Sequence, residues 1–196
     1  MSKPFHPVRD AGPAPDDGAV VVAWFDDREA EFLSLLLTDH LELLDEDDPL
    51  GPDPDPLALA LGIGNWGAGP VEPPKDPALA RLFPDAYRND PEQSGEFRRL
   101  TEPDLREGKR ANARTVLASL KDHKDGEALR LDLEQARGWL GAVNDVRLVL
   151  SVRLEIADDD DDVLERIGPE DARFGIANVY YWLGYLTDSL VEALPI

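Results

Sequence analysis

Residues 132–156, DLEQARGWLGAVNDVRLVLSVRLEI, read as one long helix. Leu133, Ala136, Leu140, Val143, Arg147, Leu150 and Leu154 recur at spacings of three and four, which lines them along one face. A second row runs through Ala136, Trp139, Val143, Val146 and Leu150. Two rows cover more than one face, so this helix is expected at the centre of the fold, touched on several sides. It also carries Asn144, Asp145 and Arg147 at mid-length. Buried polar groups are costly unless paired, so these three are expected in a structural polar network, with Glu96 and Arg99 as partners.

Immediately upstream, Glu127 to Leu131 reads as a short strand, and Asp132 with Gln135 three residues on reads as a helix cap. The same order occurs earlier. Ala19 to Phe25 is rich in β-branched and aromatic residues and predicts a strand. Asp26 and Glu29 then cap a helix over 27–45, whose main face is Ala30, Leu33, Leu37, Leu41 and Leu44. The two strands, about 19–25 and 127–131, are expected to pair into a small two-stranded sheet.

The remaining segments predict further helices. Residues 77–83 make a short one, and Asp90 and Pro91 open another that runs to about Leu100. Thr101, Pro103 and Asp104 signal a new start, giving a separate helix over 102–122 with Leu105, Ala113, Val116, Leu117 and Leu120 inward. Pro169 opens the last helix, with Ile176, Val179, Leu183, Leu186 and Leu190 as its core face. Between the first and second helices lies a Pro/Gly-rich loop, about 46–76, with a short turn at 57–61. Residues 1–17 are proline-rich and predict a flexible arm with a short extended piece at 5–8. The expected architecture is mainly α: a multi-helix bundle in a single domain over 18–196, built round the long central helix.

The chain has 196 residues and a formal charge of −21, from 41 acidic and 20 basic residues. Such a surface repels phosphate backbones, which argues against autonomous, non-specific nucleic-acid binding. There is no cysteine, so the chain itself offers no disulfide, no thiolate nucleophile and no thiol sensor. Neither a signal peptide nor an uncharged apolar run of membrane-spanning length is visible, and a cytoplasmic protein is expected.

The search for reaction chemistry yields little. Gly62 to Gly67 matches GxGxxG in letters, but prolines flank it and no strand precedes it, so it reads as loop. The run Asp158 to Asp162 lacks the spacing of a calcium loop and reads as a solvated acidic turn. His6, His40 and His123 share no metal-ligand spacing, and no GxSxG marks a serine nucleophile. No catalytic residue, metal or cofactor is assigned. From Lys75 to Lys124, uniquely, basic residues outnumber acidic ones. Arg106, Lys109, Arg110 and Arg114 fall there at helical spacings. Two readings stand open: a docking face for an acidic partner or nucleic acid, or arginines paired internally with the acidic helices. With Tyr181 and Tyr185 of the last helix, these four form the candidate partner-binding set.

Three stretches also carry a resemblance. DPALARLFPDAYRNDPEQSGEFRRLTEPDLREGKRANA, WLGAVNDVRLVLSVRLEI and YYWLGYLTDSLVEAL resemble the actinobacterial family once labelled a domain of unknown function and now named after the AosR oxidative-stress regulators. The early strand, acidic cap and leucine-rich helix are similar too, so the likeness covers nearly the whole chain. It implies a cytoplasmic, mostly helical, non-enzymatic protein. It also implies a redox-dependent regulatory role exercised with an alternative sigma factor, and a genomic neighbourhood shared with the ClpS proteolysis adaptor and cysteine-biosynthesis genes. This chain departs from the thiol-dependent mode, since it has no cysteine. The expected function is a transcription-associated regulator of stress response working by protein contact. The alternatives are a component of ClpS-linked proteolysis and a small-ligand-binding helical domain.

Overall fold

The structure is a computed structural model that describes residues 3–8, 18–46, 70–87, 89–121, 123–156 and 166–195. The turn at 57–61, the Gly62–Gly67 stretch and the Asp158–Asp162 run lie outside the described residues. In chain order the elements are β1 (Lys3–Pro7), β2 (Val21–Trp24), α1 (Asp27–Asp45), α2 (Pro77–Leu82), α3 (Pro91–Lys121), β3 (Leu129–Leu131), α4 (Leu133–Arg153) and α5 (Phe174–Ala193). The fold is mainly α, as expected, with a small antiparallel sheet at one end.

The two strands read from the sequence do pair, with Val21 opposite Leu131 and Ala23 opposite Leu129. The sheet has a third strand, however, in the order β1-β2-β3. The expected flexible arm over 1–17 therefore begins inside the sheet. Prolines obscured the strand, but a sheet edge tolerates them because their missing N–H is not needed there. What holds β1 is Phe5. It is buried, its ring meets those of Phe25 and Trp139 at 5.8 and 5.4 Å, and its N–H donates to Ser189 Oγ.

Both capping boxes form. Asp26 accepts from the Glu29 N–H at 2.8 Å, Glu29 accepts from the Asp26 N–H, and Asp132 and Gln135 repeat the exchange. The central helix α4 packs on α1, α2, α3, α5 and β3. From Gly138 to Val152 none of its residues is exposed. Two glycines let α3 come close: a Cβ on Gly141 would meet Asn112 Nδ2 at 2.5 Å, and one on Gly138 would meet Thr115 Cγ2 at 3.3 Å. Trp139 is fully buried, stacks on Phe25 and donates from Nε1 to Ser119 Oγ.

Three expectations are corrected. First, the two helices anticipated either side of Thr101 are one helix of 31 residues, with Pro103 inside it. A buried stripe through Gly95, Arg98, Glu102, Arg106, Ala113, Val116 and Leu120 stays in helical phase across the proline. Tertiary burial of that stripe outweighs the local stop signal, which is worth about 3 kcal/mol. Second, Leu105 points out and is 52% exposed, because it lies beside the stripe and not on it. Third, the last helix starts at Phe174, five residues after Pro169, and Ile176 in its first turn is exposed.

Candidate functional site

The polar residues singled out in the sequence meet in one seam, where the C-terminal end of α1 crosses the middle of α3 and of α4. A helix end leaves its last carbonyls without intrahelical donors, and cations there also suit the helix dipole. The last turn of α1 contains no basic residue. Helix α3 supplies them. Arg106, with no exposed surface, donates from one guanidinium nitrogen to the Leu44 and Glu46 carbonyls. Arg110 donates to the Leu44 carbonyl at 3.2 Å and pairs with Asp45 at 2.7 Å.

A charge ladder continues along α3. Arg106 pairs with Glu102 at 2.6 Å, and Glu102 with Arg98 at 3.2 Å. Arg98 also donates to the Phe83 carbonyl and to Asp85. The Phe83 ring lies 4.5 Å from the Arg106 guanidinium carbon, so the flat cation is stacked on a ring as well as hydrogen-bonded. One turn on, Lys109 Nζ pairs with Asp145 Oδ1 of α4 at 2.7 Å. His40 of α1 completes this corner: its Nε2 is 4.0 Å from Asp145 Oδ2, and neither ring nitrogen has a hydrogen-bond partner among the described residues. Burial, and then the Lys109 charge, push the His40 pKa down from 6.5 to about 4. Burial pushes the Asp145 carboxyl up, and the Lys109 ammonium works against it. His40 is therefore a neutral ring at neutral pH, next to an ion pair.

This arrangement corrects two site expectations. Arg106, Lys109 and Arg110 do not make an outward docking face; the internal reading holds for them, since their charges lie against α1 and α4. Arg114 alone of the four has a largely exposed side chain, 59%, and it pairs with Glu107. The expected network of Glu96 and Arg99 with Asn144, Asp145 and Arg147 does not form. Glu96 and Arg99 pair with each other at the flank of the buried stripe of α3, away from Asn144, Asp145 and Arg147. Asp145 is buried as expected, but with Lys109, while Asn144 is half-buried outside that contact. Arg147 turns to α5, where its guanidinium lies 4.9 Å from the Tyr180 ring and donates to the Tyr180 hydroxyl at 3.2 Å. His40 was read from sequence only as a packed histidine; its place on the apolar stripe of α1 was the available signal.

The seam is largely buried, and a cavity of about 220 Å³ beside it is lined by Phe83, Arg98 and Glu102 among others. No group of three His, Cys, Asp or Glu side chains arranged to hold a metal ion occurs among the described residues. No described helix is long and apolar enough to cross a membrane.

Outward-facing chemistry lies elsewhere, between α1 and α5. A cleft of about 400 Å³ there is lined by Phe32, Val179 and Trp182, with Asp26, Arg28, Glu29 and Asn178 around it. The Phe32 and Trp182 rings are 6.0 Å apart. Leu35, Tyr181 and Tyr185 are 56%, 39% and 49% exposed on the same two helices. Both tyrosines of the candidate partner-binding set are thus accessible.

A protein-family model described as "Domain of unknown function (DUF2017)" matches residues 3–194. The protein named "Oxidative stress regulator AosR" in Mycobacterium bovis is 35% identical over 180 residues, which cover 85% of this chain and 78% of that protein. Its namesake in Mycobacterium tuberculosis matches with the same identity and coverage. No solved structure matches the chain.

Proposed function

The chain belongs to the DUF2017 family, and from that premise we propose that it is a regulatory protein of stress response that acts on transcription through protein contact and not by catalysis. The observation that carries this reading is kinship. The alignment with proteins named oxidative stress regulators covers 85% of the chain and 78% of those proteins. The architecture supports contact over chemistry. Its buried charges are engaged in joining α1, α3 and α4, while large apolar side chains stand exposed on α1 and α5. A cytoplasmic protein partner, with an alternative sigma factor as first candidate, fits that surface. With no cysteine, the chain would take its redox input through such a partner and not from a thiol of its own.

The test is affinity purification of the tagged chain from oxidant-stressed cells, paired with transcript profiling of a deletion strain. A sigma factor or another transcription component recovered in stoichiometric amount, with blunted induction of stress genes in the deletion, is the expected result. Recovery of the ClpS adaptor and its protease instead, with unchanged transcript levels, would replace this reading by a proteolytic one.

A further inference from the structure

We infer that the α1/α5 face is a docking surface for a cationic, apolar-faced helical segment of a partner protein; this inference rests on the protein-contact reading above. Three observations carry it. The first is the Phe32–Trp182 cleft, a trough between two helices that also expose Leu35 and Tyr185. A trough between two helices, edged by large apolar side chains, suits an amphipathic helix laid along it.

The second is the pattern on the outward faces. On α1, Glu31, Leu35, Asp39 and Glu42 follow one another at helical spacings. On α5, Tyr181, Tyr185, Asp188 and Glu192 do the same. Each helix thus presents apolar groups and carboxylates on a single stripe.

The third is that these carboxylates are uncommitted. Asp45, at the end of α1, is held by Arg110, but Glu31, Asp39, Glu42, Asp188 and Glu192 enter no ion pair among the described residues. The basic residues of α3 neutralise the buried seam; at this face Arg28 stands at the rim of the cleft beside Asp26 and Glu29, and the five carboxylates named lie outside that rim. A strip of apolar contacts bordered by unneutralised carboxylates selects a segment with apolar residues on one side and Lys or Arg at its borders. It disfavours a second copy of this chain, because a two-fold contact would oppose the same carboxylates to each other. It disfavours anionic lipid and nucleic acid for the same reason.

The experiment places a photo-crosslinking amino acid, p-benzoylphenylalanine, at position 35, 185 or 87 of the full chain in its native host. Tyr87, also exposed but in the link between α2 and α3 with its ring against Phe97, is the control position. Crosslinked partner peptides are then mapped by mass spectrometry. The expected result is one partner protein crosslinked from 35 and 185 and not from 87, through a segment with net positive charge and apolar residues at helical spacing. The affinity of that complex should fall about tenfold or more in Leu35→Glu and in Tyr185→Glu, and weaken as salt rises. An acidic or uncharged crosslinked segment, a crosslink to a second copy, or a crosslink from 87 alone overturns the inference and leaves the protein-contact reading in place. No crosslinked partner from any of the three positions overturns both.

Discussion

Replacing Arg106 with Met removes the guanidinium but keeps most of the apolar stem, which isolates what the charge contributes. In the native protein that charge satisfies the Leu44 and Glu46 carbonyls at the end of α1 and one oxygen of buried Glu102. The substitution leaves the Leu44 carbonyl with Arg110 alone and Glu102 with Arg98 alone. Removing one member of a buried pair costs about 3–5 kcal/mol. Glu102 keeps its second partner and Arg110 still reaches the Leu44 carbonyl, so the low end, about 3 kcal/mol, is expected. For a chain of this length that corresponds to a fall in Tm of roughly 6–12 °C. Urea unfolding followed by circular dichroism, for R106M, E102Q and the double variant, measures it. The double variant should lose less than the sum of the two, because Glu102 no longer needs a cation once it is an amide. Amide exchange should quicken first in the last turn of α1, whose carbonyls Arg106 holds. A loss below about 1 kcal/mol, or strict additivity of the two substitutions, would refute the claim that this arginine ties α1 to α3.

Three further outcomes are expected. His40 has a folded pKa of about 4 against 6.5 when unfolded, so the unfolded state binds more protons between those values and stability falls as pH drops through that window. The loss should total about 3 kcal/mol and vanish in His40→Met, read as a flattened stability–pH curve, while Asp145, raised by burial, opposes it only at the acid end. Gly95→Ala should destabilise by about 2 kcal/mol, since its Cβ would lie 2.5 Å from Pro70 Cβ and 3.1 Å from the Val71 carbonyl oxygen, and a thermal melt will show it. Gly108→Ala, whose Cβ meets nothing within 4 Å, should instead stabilise α3 by about 0.5–1 kcal/mol; a loss there would mean that α3 is strained near its proline.

Where the fold was legible in the sequence, a short-range rule and the buried surface pointed the same way. Asp26 with Glu29, and Asp132 with Gln135, mark helix starts by local hydrogen bonds alone, and both form. Where the two disagreed, burial won. Pro103 reads as a start, yet Arg98, Glu102 and Arg106 pair straight across it within one helix. Pro7 argues against a strand, yet Phe5 has an aromatic slot to fill beside Trp139 and Phe25. The seam was half legible. A carboxylate in a buried helix has to find a cation, so Asp145 could be placed in the interior. Its partner could not be named, because α3 carries several cations, Arg99 and Lys109 among them, and which of them lies level with Asp145 depends on how the two helices cross.

The same ambiguity inverts the electrostatic argument about partners. In the sequence, Arg106, Lys109, Arg110 and Arg114 look like the one positive feature of an acidic chain, and a positive feature suggests an acidic ligand. In the structure, three of the four are held by α1 and α4, whose end and middle need them more than any ligand could. Charge used inside a fold is subtracted from what the surface offers. Each of these cations is already matched by a carboxylate of the fold, so none is offered to the exterior, and the excess of 41 acidic over 20 basic residues falls on the remaining surface. The carboxylates of α1 and α5 are that remainder, and they border the exposed apolar groups on those helices. A surface of this kind gains little from acidic partners at any apolar complementarity, because each like-charged contact costs on association. On the docking inference, the expected partner segment is therefore positive, because α3 directs its arginines inward and leaves the carboxylates of α1 and α5 outside.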